Sequence, residues 1–346
     1  MTGKLKVLVV DDSAFMRLLI SDLLSEDSAI EVIGSAVNGL EAKEKVVELK
    51  PDVVILDLNM PEYDGIYAVK SIMAERVTPI LILSSVGNTD LQPVFDALKH
   101  GAVDYMNKPN RNKSKMREIS DELVQKVKSA ARAKPRKIAE PLAIKTSSIS
   151  KKDTRKSRKF DIVAIGASTG GPSAIERVLT VLPKDFSIPV VICQHMPQSF
   201  IPPFVQRLNS LTELDVVAAS KDMQPVPGTI MFCPGHANLI FNEIDGVPKV
   251  DFTDQVFREY NNPSINAMML SVAEIFQKRA IGVILTGMGK DGLEGMRSIH
   301  KNGGYTITQN KETSIIYGMP KVVADAGLAK ESLDIKEIGN HLINLQ

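Results

Sequence analysis

Three residues of this chain have the types and settings that covalent chemistry needs. Ser168 stands in the glycine-rich stretch "IGASTGGPSA", His195 closes the apolar run "VVICQH", and Asp291 lies within "GMGKDG". A hydroxyl is a weak nucleophile until an imidazole takes its proton, and a carboxylate fixes the imidazole's tautomer and stabilises its charged form. Small neighbours leave the Ser168 Oγ approachable. Pro172 suits a first helical turn, whose free N–H groups favour a developing oxyanion.

Two other chemistries compete for the same residues. The run from Gly287 to Gly292 reads G-x-G-x-x-G after an apolar run, which is the form of a dinucleotide-binding turn. Against that reading, it comes late in the chain and Asp291 would set a negative charge beside a pyrophosphate. "TITQNKE", about 20 residues on, offers no acid where a ribose partner belongs. Zinc is the other competitor, through Cys193, His195, Cys233 and His236 of "CQH" and "CPGH". That spacing departs from the usual ligand pairs, and two buried structural cysteines account for it.

The first part of the chain carries a separate set. Asp11, Asp12 and Asp57 each follow an apolar run, and a carboxylate cluster of this kind suits a hard divalent cation such as Mg²⁺. Lys108, just before Pro109, can bring a positive charge to the same edge. Asp57 could accept a phosphoryl group there, with the cation and Lys108 neutralising the transferring oxygens and Ser84 offering a hydroxyl to the product.

The elements that must position these groups are legible as apolar runs. "KVLVV", "EVIGSAV", "DVVILDL", "PILILSS" and "AVDYMNK" alternate with helical stretches, and later "FDIVAIGAS", "IPVVICQH" and "AIGVILTGMGKD" do the same. Both halves therefore read as α/β with parallel sheets, in which ligands gather at the carboxyl ends of strands. Ser168, His195 and Asp291 all fall just past such ends, so residues distant in the chain can meet.

A length of 346 residues exceeds an ordinary single core and predicts two domains. From Lys126 to Lys159 the chain carries +11, leaving −10 for the remainder. This Ser-, Lys- and Pro-rich stretch has no sustained periodicity and reads as a flexible linker. The expected division is 1–127, a linker over 128–159, and 160–346. No apolar run is long enough to span a bilayer, the N-terminus lacks the form of a secretory signal, and two cysteines build no disulfide framework. A cytoplasmic protein is expected. The linker has no aromatic residues for stacking, and the second half is long, α/β and not basic, which argues against a nucleic-acid-binding output.

"VVDDS", "ILDLNMP", "LSS" and "YMNKP", at these separations, resemble the receiver domain of bacterial response regulators, a flavodoxin-like five-stranded parallel sheet. The resemblance implies phosphorylation of Asp57 by a histidine kinase, with Ser84 and Tyr105 as a switch pair. Behind it, "IGASTGGP", "QHMP", "PGH", "ILTGMGKDGLEGM" and "QNKETSIIYGMP" are similar, in this order, to the chemotaxis-specific protein-glutamate methylesterase/glutamine deamidase family. That likeness implies a doubly wound, mainly parallel catalytic domain with a triad on Ser168, His195 and Asp291. Thr169 would flank the nucleophile and the Met288 N–H would serve the oxyanion. It also implies chemoreceptors as substrates, a chemotaxis kinase as phosphodonor, and no cofactor in the catalytic domain. "NNPSINAMM" around Asn266 departs from the Arg-Pro-Ser-Val-Asp pattern associated with the family.

Overall fold

The structure is a computed structural model and describes residues 3–85, 91–109, 116–135, 159–259 and 262–346. The five apolar runs of the first part form strands β1 (Leu5–Val10), β2 (Ile30–Ala36), β3 (Val53–Asp57), β4 (Ile80–Ser84) and β5 (Asp104–Asn107). Between and after them lie α1 (Ala14–Ser25), α2 (Gly39–Leu49), α3 (Gly65–Glu75), α4 (Gln92–Lys99) and α5 (Met116–Ala130). All neighbours pair in parallel, in the order β2-β1-β3-β4-β5. Strands β3 and β4 are buried along their whole length, which is why their sequences are continuous apolar runs and not alternating ones.

The second part begins with β6 (Ile162–Ala167), α6 (Gly171–Leu179), β7 (Val190–Gln194) and α7 (Ile201–Leu211). Then come β8 (Asp215–Ala218), β9 (Thr229–Phe232), β10 (Asn238–Ile244), β11 (Val247–Thr253) and α8 (Ile265–Phe276). The chain ends with β12 (Ala280–Ile284), α9 (Leu293–Lys301), β13 (Tyr305–Gln309), α10 (Met319–Asp325), β14 (Glu331–Leu333) and α11 (Ile335–Leu345). Seven strands form one sheet in the order β14-β13-β12-β6-β7-β9-β8, every pair parallel. Strands β10 and β11 make a separate antiparallel hairpin.

In each sheet the chain leaves its first strand in one direction and later returns to build the other side. The reversal falls between β1 and β3 in the first sheet and between β6 and β12 in the second. Ligand crevices open at such reversals, outside the carboxyl ends of the strands.

The boundary expected at residue 127 falls inside a helix, because α5 continues to Ala130. Ala130 and Ala133 are buried with the first sheet's core, and the Lys134 N–H donates to the Ile315 carbonyl at 3.0 Å. Small apolar residues let this basic segment pack despite its charge. Residues 136–158 of the expected linker lie outside the described residues.

Candidate active site

Ser168, His195 and Asp291 come from three adjacent strands of the second sheet, β6, β7 and β12. Backbone bonds tie those strand ends together: the Ser168 N–H donates to the Thr286 carbonyl and the His195 N–H to the Ala167 carbonyl, each at 3.0 Å. The His195 ring then lies between its two partners. Nδ1 is 3.2 Å from Ser168 Oγ, and Nε2 is 2.8 Å from Asp291 Oδ2. The ring nitrogen nearer the backbone thus faces the hydroxyl and the distal one faces the acid.

Asp291 is buried, and its charge is met by an arrangement that sequence reasoning missed. The first turn of α8 points at the carboxylate: Ile265 N–H donates to Oδ2 at 2.8 Å and Asn266 N–H to Oδ1 at 2.9 Å. The Gly292 N–H adds a bond at 2.9 Å, and the Ser264 hydroxyl lies 3.4 Å from Oδ1. Free N–H groups and the helix dipole favour an anion here. Asn238 fixes the approach to that turn, its Oδ1 accepting from the N–H groups of Asn262 and Ser264. A serine ahead of an apolar helical run is a visible N-cap signal, but nothing in the sequence says which carboxylate that helix will face. The stretch around Asn266 thus supplies two of these donors.

Two glycines let the backbone close around Ser168. Gly170 sits at φ +77° just before α6, a conformation L side chains rarely adopt. A Cβ on Gly287 would stand 2.8 Å from the Ser168 Cβ, so only glycine allows the turn carrying Met288 to pass Ser168 so closely. Asp291, committed to His195 and α8, is not available to a dinucleotide turn. Cys193 and Cys233 are buried free thiols, and burial pushes the Cys193 thiol well up. His236 is exposed. Among the described residues, the only cluster of three or more metal-type side chains is Asp11, Asp12 and Asp57.

That cluster sits at the reversal of the first sheet, with ligand oxygens all within 4.8 Å of one another. Lys108 Nζ is 2.7 Å from Asp11 and 2.9 Å from Asp57. Burial raises the Asp57 carboxyl above the usual carboxylate range, Lys108 opposes that rise, and the Asp11 charge adds to it. Burial alone would depress the Lys108 ammonium, but hydrogen bonds to Asp11 and Asp57 outweigh it and the net direction is upward. Arg17 was missed by sequence reasoning; its guanidinium donates to the Asp11 and Asp12 carbonyls at 2.7 and 3.0 Å and holds the acidic turn. Ser84 ends β4, buried, and its carbonyl accepts from the Lys108 N–H at 2.7 Å.

Tyr105 is buried against the other half of the molecule. Its ring stacks on Phe200 with centroids 4.5 Å apart. Beside it, Asp104 accepts a hydrogen bond from the Thr169 hydroxyl at 2.8 Å, one residue from Ser168. Phe95 of α4 meets Phe204 of α7 at 5.1 Å, and Arg207 bridges Glu176 and Asp96.

A receiver-type acidic pocket and an α/β crevice joining hydroxyl, imidazole and carboxylate, carried on one chain, define the class: a response regulator with a hydrolase output domain. The sequence matches the CheB methylesterase family over residues 163–342 and the response regulator receiver domain over residues 7–120. The chain belongs to the CheB methylesterase family. It is 40% identical to the protein-glutamate methylesterase/protein-glutamine glutaminase of Lawsonia intracellularis, over 97% of this chain and 98% of that one. The Thermotoga maritima protein of the same description is 38% identical, over 99% and 98%. The crystal structure of the Thermotoga maritima CheB methylesterase catalytic domain superposes with a TM-score of 0.51 at 38% identity, covering 54% of this chain and 99% of that one.

Proposed function

We propose that this chain removes methyl groups from glutamyl esters of chemoreceptors, releasing methanol, and hydrolyses glutamine side-chain amides there, releasing ammonia. The single observation that carries the residue assignment is His195 held between Ser168 and Asp291. Ser168 Oγ attacks the side-chain carbonyl while His195 Nδ1 takes its proton. Asp291, across the ring, stabilises the imidazolium. The tetrahedral oxyanion is received by the Met288 N–H and by the start of α6, next to which Thr169 lines the site. His195 returns the proton to the leaving methanol or ammonia. Water, activated by the same nitrogen, then releases glutamate from the acyl-enzyme and restores Ser168.

The receiver's part is regulation. Asp57 is the phosphoryl acceptor, with a histidine kinase of the chemotaxis system as donor. Asp11, Asp12 and Asp57 would hold a divalent cation, Mg²⁺ by the chemistry of three carboxylates. When bound, it offsets negative charge on the incoming phosphoryl oxygens. Lys108 shares that task and Ser84 donates to a phosphoryl oxygen. Tyr105 follows Ser84 and leaves Phe200. A junction between receiver and catalytic domain after Ala130 and before Phe160 belongs to the same reading, as does action in the cytoplasm; no helix among the described residues is long and apolar enough to cross a membrane.

The test is methanol release from methylated receptor membranes, with and without a small phosphodonor. The wild-type chain should release methanol and respond to the donor. Ser168→Ala should release none above background, and a rate near wild type would refute the nucleophile assignment. EDTA should abolish the response to the donor and leave basal hydrolysis in place.

A further inference from the structure

The segment between the base and its strand holds a side chain to which no role has been given. Gln194 ends β7, immediately before His195, and is 2% exposed. Its Nε2 donates to the Ser168 carbonyl at 3.0 Å and to the His195 carbonyl at 2.9 Å. Only the nitrogen end of an amide can face two carbonyl oxygens without repulsion, so this geometry fixes which way the group points. Its Oε1 lies against Gly171, where a Cβ would collide with it, and accepts no hydrogen bond among the described residues.

We infer that Gln194 is a positioning residue, a clamp that sets the separation of the nucleophile from its base. The inference rests on the assignment of Ser168 and His195 made above. His195 meets Ser168 through Nδ1, the ring nitrogen closest to its own backbone. That nitrogen has little reach, so the Oγ to Nδ1 distance is governed by how near the two backbones lie. Among the described residues, Gln194 is the one side chain that bonds the carbonyls of both residues. Its retained cost points the same way. A buried amide oxygen without a partner disfavours folding, and an apolar side chain of similar size would avoid that cost. The donor end therefore has a task that packing alone would not require. A displacement of about 1 Å at a reacting centre lowers turnover by roughly 10²-fold, so a small loss of backbone register should be visible in rate.

The experiment uses the full chain with Mg²⁺ and a phosphodonor, and compares wild type with Gln194→Met and Gln194→Glu. Methionine fills the volume without donating. Glutamate keeps the shape but turns oxygens toward the two carbonyls. One readout is the rate at which phenylmethylsulfonyl fluoride sulfonylates Ser168, Oγ displacing fluoride with its proton passing to His195. The other is kcat and KM for methanol release, with the folded fraction followed by near-ultraviolet circular dichroism. Both variants should lose about 10- to 100-fold in sulfonylation rate and in kcat, while KM changes by less than about threefold. Should Gln194→Met fail to fold, the near-isosteric Gln194→Glu carries the comparison. Folded variants that react at the wild-type rate, or losses that only follow the folded fraction, would overturn the clamp. A wild-type chain that hydrolyses receptor esters but is not labelled at Ser168 would instead overturn the serine assignment on which the clamp rests.

Discussion

A carboxylate's worth in this protein depends on what its oxygens meet, and the two key aspartates are treated in opposite ways. Asp291 is surrounded by N–H donors. Asp291→Asn would remove the charge that supports an imidazolium at His195 and would set an NH₂ group against those donors. Turnover should fall by about a thousandfold or more, measured as kcat for methanol release. Asp57 is buried with its carboxyl raised above the ordinary value of 3.8. A carboxyl that binds its proton more tightly when folded weighs against folding at pH values above the unfolded value, and that penalty disappears as pH falls below it. Asp57→Asn should therefore stabilise the chain at pH 7, and the gain should vanish as pH falls below the unfolded carboxyl value. Thermal melts of the two proteins across that range check the sign. A destabilised Asn variant at pH 7 would mean that the lost Lys108 pair outweighs the relief from burial.

Elements differ in how plainly the sequence announces them. Strands β1, β3 and β4 of the first sheet and β6, β7 and β12 of the second are legible because each is a mostly buried run rich in Val and Ile, whereas β2 is largely half-buried and β5, Asp104–Asn107, has none of these residues. Ser168, His195 and Asp291 could be picked out because each stands just past one of those runs. The β10–β11 hairpin was not foreseen, since ten of its fourteen strand residues are exposed or partly so and its apolar positions form no continuous buried run. Its contribution through Asn238 was hidden for the same reason. Arg17 and the first turn of α8 have ordinary local sequences, and their roles exist only where tertiary packing sets them against an acid. That α5 runs past residue 127 was not visible, because charge and composition describe a segment's surface and not the small Ala130 and Ala133 contacts beneath it. At this scale Gly287→Ala is the sharpest probe. The added methyl would press on Met319 and Ser168, costing about 1–3 kcal/mol of stability. The turn bearing Met288 should move, and kcat should drop at least about tenfold in protein shown to be folded at the assay temperature.

The two halves of the molecule meet across a contact whose parts differ in strength. The Thr169 to Asp104 bond, buried and charge-assisted, is worth roughly 1.5–3 kcal/mol. The aromatic pairs Tyr105–Phe200 and Phe95–Phe204 add about 0.5–1.5 kcal/mol each beyond their burial. Arg207 to Asp96 adds little, because Asp96 is 41% exposed. A tenfold change in the docked population needs only about 1.4 kcal/mol, so the Asp104 bond alone suffices. Asp104→Ala should raise basal methanol release several-fold without a phosphodonor and shrink the further response to one. A basal rate equal to wild type would show that this bond does not restrain the site. Asp57→Ala, by contrast, should stay at the basal rate whether or not the donor is present. On the role proposed above, Tyr105 is part of the receiver's switch, and its ring rests on Phe200. Equilibrium coupling has no preferred direction: if phosphorylation disfavours the docked state, docking must disfavour phosphorylation by the same factor. The hydrolase half is then a brake on its own activator. Phe200→Ala, far from Asp57 in the sequence and outside the acidic pocket, should let Asp57 reach a higher steady level of phosphorylation at a fixed donor concentration, so that the output domain sets how sensitively the input is read.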